Sequence, residues 1–99
     1  GVVDLAVLGL LAQGERYDSQ VVDELASQPA LALTAGTVYP LLSRLLKAGL
    51  IESTWQESPV GPPRKYYRLT GAGRAAHSAQ HDAWVAVRDG LDALLKESR

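Results

Sequence analysis

Two clusters of side chains in this 99-residue chain have types and spacing suited to chemistry, and the chemistry is recognition of a polyanion rather than bond-making. The first is Thr34-Ala-Gly-Thr-Val-Tyr39, a run of small or hydroxyl-bearing residues, with Arg44 one to two helical turns further on. Small residues such as Gly36 let a backbone come close to another surface, while Thr34, Thr37 and Tyr39 carry hydroxyls that donate to phosphate or base oxygens. The second is Arg64-Lys65, adjacent cations directly after Ser58-Pro-Val-Gly-Pro-Pro63. Surface ion pairs stabilise a fold by at most about 1 kcal/mol, so two neighbouring cations have little structural purpose there. Against DNA each phosphate contact instead adds affinity by releasing counterions. Arg68 shares a strand face with Tyr66 and is a lesser candidate.

Charge supports this reading only when it is read locally. The net charge of −1 argues against a strong polyanion binder. Yet the stretch before Thr34 holds Asp4, Glu15, Asp18, Asp23 and Glu24 against Arg16 alone. The stretch from Thr34 to Arg74 holds Arg44, Lys47, Arg64, Lys65, Arg68 and Arg74 against only Glu52 and Glu57. A basic middle segment is what a phosphate-binding face requires.

Other chemistries lack their parts. There is no cysteine, hence no disulfide and no thiolate metal site, which fits a reducing compartment. His77 and His81 have the four-residue spacing of two-histidine metal sites but no convergent third ligand, so they read as surface residues and no metal or other cofactor is expected. No serine has a histidine partner placed for nucleophilic catalysis, and Gly71 and Gly73 lack the lysine of a phosphate-binding loop. An enzyme is not expected. The longest apolar run, Leu5 to Ala12, falls short of the roughly 18 residues a membrane span needs, and no basic-then-apolar leader is present, so a cytoplasmic protein is expected. The absence of methionine and the opening at Gly1 read as a trimmed or processed start.

The elements that must position these residues follow from periodicity. Residues 2–12 read as a buried helix with Leu5, Leu8, Leu11 and Ala12 on one stripe and Gly14 ending it. Asp18 or Ser19 can cap a second helix, whose stripe is Val21, Val22, Leu25 and Ala26. After the connector from Pro29 to Leu33, a third helix is expected over residues 37–48, with Leu41, Leu42, Leu45 and Leu46 inside and Gly49 as its C-terminal cap. With Thr37 as N-cap, Pro40 falls in the first turn, where its missing N–H costs nothing; a start nearer Thr34 would demand a kink. Weak alternation over 50–57 predicts a strand, with Trp55 in the core or partly covered. The proline-rich run is a turn, and 64–69 returns as a second strand on which one of Tyr66 and Tyr67 packs inward. Thr70 then caps a helix reaching about Lys96, with Ala72, Ala76, Ala79, Ala83, Val87, Leu91 and Leu94 on one stripe.

Three helices, a hairpin and a long helix make a mainly α (α+β) fold, a winged helix-turn-helix with a long C-terminal dimerisation helix. In that motif the start of the third helix enters the major groove of double-stranded DNA. The apolar stripe of the last helix exceeds what one small domain can cover, which predicts a homodimer. Residues 1–70 are thus the expected DNA-binding domain and 71–99 the dimerisation helix, joined in one structural unit. Ala76, Ala83, Trp84, Val87, Leu91 and Leu94 form the expected interface. Two other readings compete: a winged helix that binds only protein, and a small-molecule-binding module without DNA binding.

The strings Leu8-Gly-Leu-Leu-Ala12, Gly36-Thr-Val-Tyr-Pro-Leu-Leu-Ser-Arg-Leu45, Gly49-Leu-Ile51 and Gly61-Pro-Pro-Arg-Lys-Tyr-Tyr-Arg-Leu-Thr70, continued by Gly73-Arg-Ala-Ala76, resemble the PadR family of bacterial transcriptional regulators. The length and single terminal helix are similar to its short subfamily. This resemblance implies a dimer joined through the last helix that binds a palindromic operator, usually as a repressor. It also implies that Trp84 lines a pocket at the dimer centre and stacks on small planar aromatic ligands, for which an indole is chemically apt. The chain departs from the family at Glu15-Arg-Tyr-Asp-Ser19, where the family commonly reads Pro-Arg-His-Gly-Tyr. Tyr17 or Ser19 is then the candidate for the phosphate contact that the family's tyrosine implies.

Overall fold

Helix α1 (Val2–Ala12) begins the chain, and the computed structural model, which describes residues 1–96, shows it at the centre of the domain. Its buried residues are Val7, Leu8 and Leu11, whereas Leu5 is half-buried and turns toward the last helix. Of the expected stripe, Leu8 and Leu11 are buried and Leu5 and Ala12 half-buried, while Val7 joins them as an additional buried residue. A helix packed on by α2 (Asp18–Ala26), by the sheet and by the last helix buries more than a single face.

A two-residue strand, β1 (Arg16–Tyr17), precedes α2 and has no counterpart in the expected order of elements. Two residues are too short to show alternation, so only the partner strand reveals it. Its pairing also alters the cap of α2. Tyr17, with extended backbone, is the N-cap, its N–H donating to Gln20 Oε1 at 3.3 Å, while Asp18 is the first helical residue. The expected cap at Asp18 or Ser19 is thus corrected by one residue, because the chain leaves β1 directly into the helix.

A single 3-10 turn (Pro29–Leu31) leads to α3 (Ala35–Lys47). The start at Thr37 is corrected: Thr34 is the N-cap, and its carbonyl accepts from Thr37 N at 3.0 Å and Val38 N at 2.9 Å. Pro40 therefore lies inside the helix and leaves the Gly36 carbonyl without its usual donor, a cost that water meets because Gly36 is exposed. The compensation is Val38. It is fully buried and joins Leu41, Leu42 and Leu45 at i, i+3, i+4 and i+7, and the start at Ala35 sets it inside the helix rather than at its first position.

The far end of α3 closes as its sequence predicts. Gly49 takes φ +73°, Leu50 N donates to Leu45 O and Gly49 N to Leu46 O, both at 3.0 Å, which together form a Schellman motif. The chain then enters β2 (Ile51–Gln56) and returns as β3 (Arg64–Leu69). The antiparallel sheet has the order β1-β3-β2, with Ile51 opposite Leu69, Trp55 opposite Lys65, and Tyr17 opposite Tyr66. Ile51, Tyr67 and Leu69 close the core from the sheet side.

Helix α4 (Gly71–Leu95) begins at the predicted cap. The Thr70 hydroxyl accepts from Gly73 N at 3.0 Å and donates to Gly49 O at 2.6 Å, tying the start of α4 to the end of α3. Gly73 permits this closeness: a Cβ there would lie 1.8 Å from the Leu50 carbonyl oxygen. From Ala86 onward every described residue of α4 is exposed, so its second half stands clear of the domain. The molecule is a winged helix-turn-helix carrying a long terminal helix; residues 97–99 of that expected helical unit lie outside the described residues.

Candidate nucleic-acid interface

The start of α3 and the β2–β3 hairpin present the predicted polyanion-binding residues. At the helix start, the hydroxyl of Thr34 takes no part in its own cap and is exposed, as are Gly36 and Thr37. The first N–H groups of α3 point out of the fold with them, at the positive end of the helix dipole. At 100° per residue, the side of α3 opposite the buried stripe carries Gly36, Pro40, Ser43 and Lys47. Ser43 and Lys47 were not singled out from sequence. Their signal was available in the buried stripe, but only once Val38 fixed its centre.

Arg44 and Tyr39 lie on the two flanks of that outward side. Arg44 is held by Asp4 of α1, Nη2 to Oδ1 at 2.5 Å, so its guanidinium is fixed by a partner forty residues away. Tyr39 is about half-exposed on the other flank, near the Tyr67 phenol. That phenol is raised above its ordinary pKa, chiefly by burial and further by the negative charge of Asp18 and by Tyr39. The inner face of the hairpin thus meets the starts of α2 and α3.

On the hairpin, Arg64 and Lys65 project from opposite faces. The Arg64 guanidinium lies 4.4 Å from the centre of the Tyr17 ring, and Tyr17 meets Tyr66 edge to face at 5.6 Å. Arg64 therefore has a structural role that the sequence reading denied it, because β1 supplies the aromatic ring. Lys65 lies 5.6 Å from the Tyr67 ring on the inner face. Of the tyrosine pair, Tyr67 is the buried member and Tyr66 is half-buried. Arg68 is paired with Glu52 at 2.6 Å and Arg16 with Glu24 at 2.8 Å. Ser19 is exposed on the first turn of α2, with its N–H accepted by Asp18 Oδ1 at 2.7 Å. Trp55 corrects the expectation of a core or partly covered residue, since it is 71% exposed. From Thr54 to Gln56 every residue of the strand is exposed, and among the described residues little covers the ring.

Far from the hairpin, α4 and α1 enclose a groove of about 270 Å³ lined by Val2, Leu5, Gln80, Ala83, Trp84 and Val87. Gln80 Oε1 is buried there with no hydrogen-bond partner among the described residues. Trp84 (41% exposed), Val87, Leu91 (49%) and Leu94 form an uncovered apolar strip, whereas Ala76 is half-buried against its own core. His77 and His81 face each other at 6.0 Å between ring centres, and no cluster of three or more metal-ligating side chains occurs among the described residues. No described helix is long and apolar enough to cross a membrane.

Comparison with known proteins agrees with this arrangement. The profile of the transcriptional regulator PadR-like family matches residues 7–79. Transcriptional regulator Rv3488 of Mycobacterium tuberculosis is 39% identical over 74 residues, 75% of this chain and 67% of that protein. The crystal structure of a PadR-like transcriptional regulator (BC4206) from Bacillus cereus superposes with a TM-score of 0.87 at 33% identity, covering 96% of this chain and 92% of the other. Bacillus subtilis PadR, solved in complex with operator DNA, shares the fold at a TM-score of 0.70 and 23% identity, over 81% of this chain and 46% of that one.

Proposed function

This chain belongs to the PadR-like family of transcriptional regulators, which are DNA-binding proteins and not enzymes, and from that membership we propose that it is a homodimeric repressor gripping a palindromic operator. Residues 1–70 are read as the DNA-binding part and 71–99 as the dimerisation helix. The observation that carries the reading is the bare apolar strip on the free half of α4: Val87 and Leu91 are each about half-exposed and Leu94 is 78% exposed. An apolar face of that kind on a projecting helix is best buried against its twin. Twofold symmetry then presents two α3 starts about one DNA turn (~34 Å) apart, and each phosphate contact counts twice. Thr34, Gly36, Thr37 and Tyr39 serve the major groove; Arg64 and Lys65 hold the backbone, with Tyr17 or Ser19 beside them. Arg44 keeps free N–H donors beside its bond to Asp4 and can offer them to a phosphate, with part of its charge already balanced by that carboxylate.

The groove at Trp84 is the proposed site for a planar aromatic ligand whose binding releases the operator. It is apolar, and the unpartnered Gln80 Oε1 offers one acceptor to a donor on such a molecule. The deciding experiment is an anisotropy titration with DNA from upstream of the protein's own gene at several salt concentrations. We expect salt-sensitive binding, with a slope reduced by up to about four, two cations from each protomer, when Arg64→Ala and Lys65→Ala are combined. Binding and slope unaffected by the double substitution would remove the wing from the interface. Tryptophan quenching by an aromatic dye without operator release would leave a ligand-binding module instead.

A further inference from the structure

Trp55 remains unexplained by packing, capping or charge. The hairpin's inner face can be followed pair by pair from the core outward. Ile51 and Leu69 are both buried; Ser53 and Tyr67 come next, half-buried and buried; Trp55 and Lys65 follow. Cross-strand pairs put their side chains on one face, and same-face pairs are about 7 Å apart along a strand. Ile51, Tyr67 and Leu69 of this face belong to the core, and Tyr67 feels Asp18 of α2 and Tyr39 of α3, so the face is turned toward those helices. Trp55 and Lys65 continue that face past its last buried pair, toward the tip of the hairpin.

An indole left 71% exposed sacrifices hydrophobic stabilisation that almost any inward-facing position would provide. Its removal should therefore cost the fold little. What can cover it is constrained by its neighbours. A body lying along the outer end of this face and reaching the Lys65 ammonium meets the Trp55 ring directly opposite it on the neighbouring strand. It must also be negatively charged where it meets Lys65 and apolar where it meets the indole. The sugar–phosphate wall of a duplex groove alternates those two surfaces, with deoxyribose carbons between phosphates.

We infer that Trp55 is a DNA-contacting residue, its ring packed on the deoxyribose wall of the groove beside α3 while Lys65 takes the adjoining phosphate. The inference rests on the DNA-binding reading given above. Trp55 excludes water from the Lys65–phosphate contact and supplies an affinity contribution that salt does not screen.

The test uses the whole chain with upstream DNA, comparing wild type, Trp55→Ala, Trp55→Tyr and the Arg64→Ala, Lys65→Ala double variant. Trp55→Ala is expected to keep the wild-type melting temperature, to lose about tenfold in affinity and to keep the wild-type salt slope, because an apolar contact releases no counterion. Trp55→Tyr should recover most of the loss. In a Trp84→Phe background, where Trp55 is the remaining tryptophan, its emission should change as DNA is added. Affinity of Trp55→Ala within twofold of wild type, or emission unmoved at saturation, overturns the inference while leaving the DNA-binding reading intact. A changed sedimentation coefficient for Trp55→Ala without DNA also overturns it, by showing that a second copy covers the ring. Should wild type itself not bind, both readings fall together.

Discussion

At the scale of single residues, the fold depends on a few atoms at the junction of α3, β2 and α4. The Thr70 hydroxyl serves two backbones at once, accepting from Gly73 and donating to Gly49. Thr70→Val keeps the shape and removes both bonds, so a loss of about 1–2 kcal/mol is expected in urea unfolding. Gly73→Ala is more severe, since the new methyl would meet the Leu50 backbone oxygen, which has no rotamer to change. At least ~3 kcal/mol is expected, enough to unfold a marginal domain. Tyr67 carries a pH dependence. Burial first, then Asp18 and Tyr39, raise its phenol above the ordinary 10.0. Its folded-state pKa exceeds the unfolded one, so its contribution is complete below about pH 10 and is lost as pH rises through the folded value. Tyr67→Phe should therefore flatten the alkaline fall in melting temperature. An unchanged alkaline limb would place the titrating group elsewhere.

At the scale of elements, the segments were legible in the sequence where periodicity and terminators agree. The last helix and its Thr70 cap, the two hairpin strands and the Gly49 stop all occur where the residues predict. Gly49 illustrates why: a left-handed residue ends the helix through local bonds alone, so its meaning survives in any tertiary setting. Gly49→Ala should cost about 1 kcal/mol in equilibrium unfolding, for the same local reason. The start of α3 was misread because two local rules conflicted. Proline chemistry favours a start at Thr37, but the Thr34 carbonyl accepts from Thr37 and Val38, so the helix gains a turn and holds Val38, whose burial contributes about 1.5–3 kcal/mol, inside it rather than at its edge. Strand β1 was not legible at all, since a two-residue strand exists only through its partner β3.

At the scale of the whole molecule, the decisive feature is asymmetry between the two halves of α4. Its first half closes the domain through Gly73 and Ala76; from Ala86 onward every described residue is exposed, and this part carries the strip of Val87, Leu91 and Leu94. Charges placed on that strip should leave the domain folded, as no core residue is touched. Val87→Glu together with Leu91→Glu is expected to give an unchanged far-ultraviolet circular dichroism spectrum and a monomer by sedimentation. Operator affinity should fall roughly a hundredfold, because two weak half-sites no longer share one binding event. A doubly charged variant that still sediments as a dimer would move the interface away from α4.

The amino-acid order by itself determined the number and sequence of the main elements, the family strings, the cap at Thr70, the stop at Gly49 and the two places where cations and hydroxyls gather. These follow from interactions between residues a few positions apart. Only the tertiary structure decided which of those groups are already engaged. Asp4 holds Arg44 from across α1, Tyr17 lies beneath Arg64 by way of an added strand, and Trp55 is left bare on the exposed outer stretch of its strand. Such facts depend on contacts between residues distant in the chain, which packing of the core selects and which local pattern cannot encode.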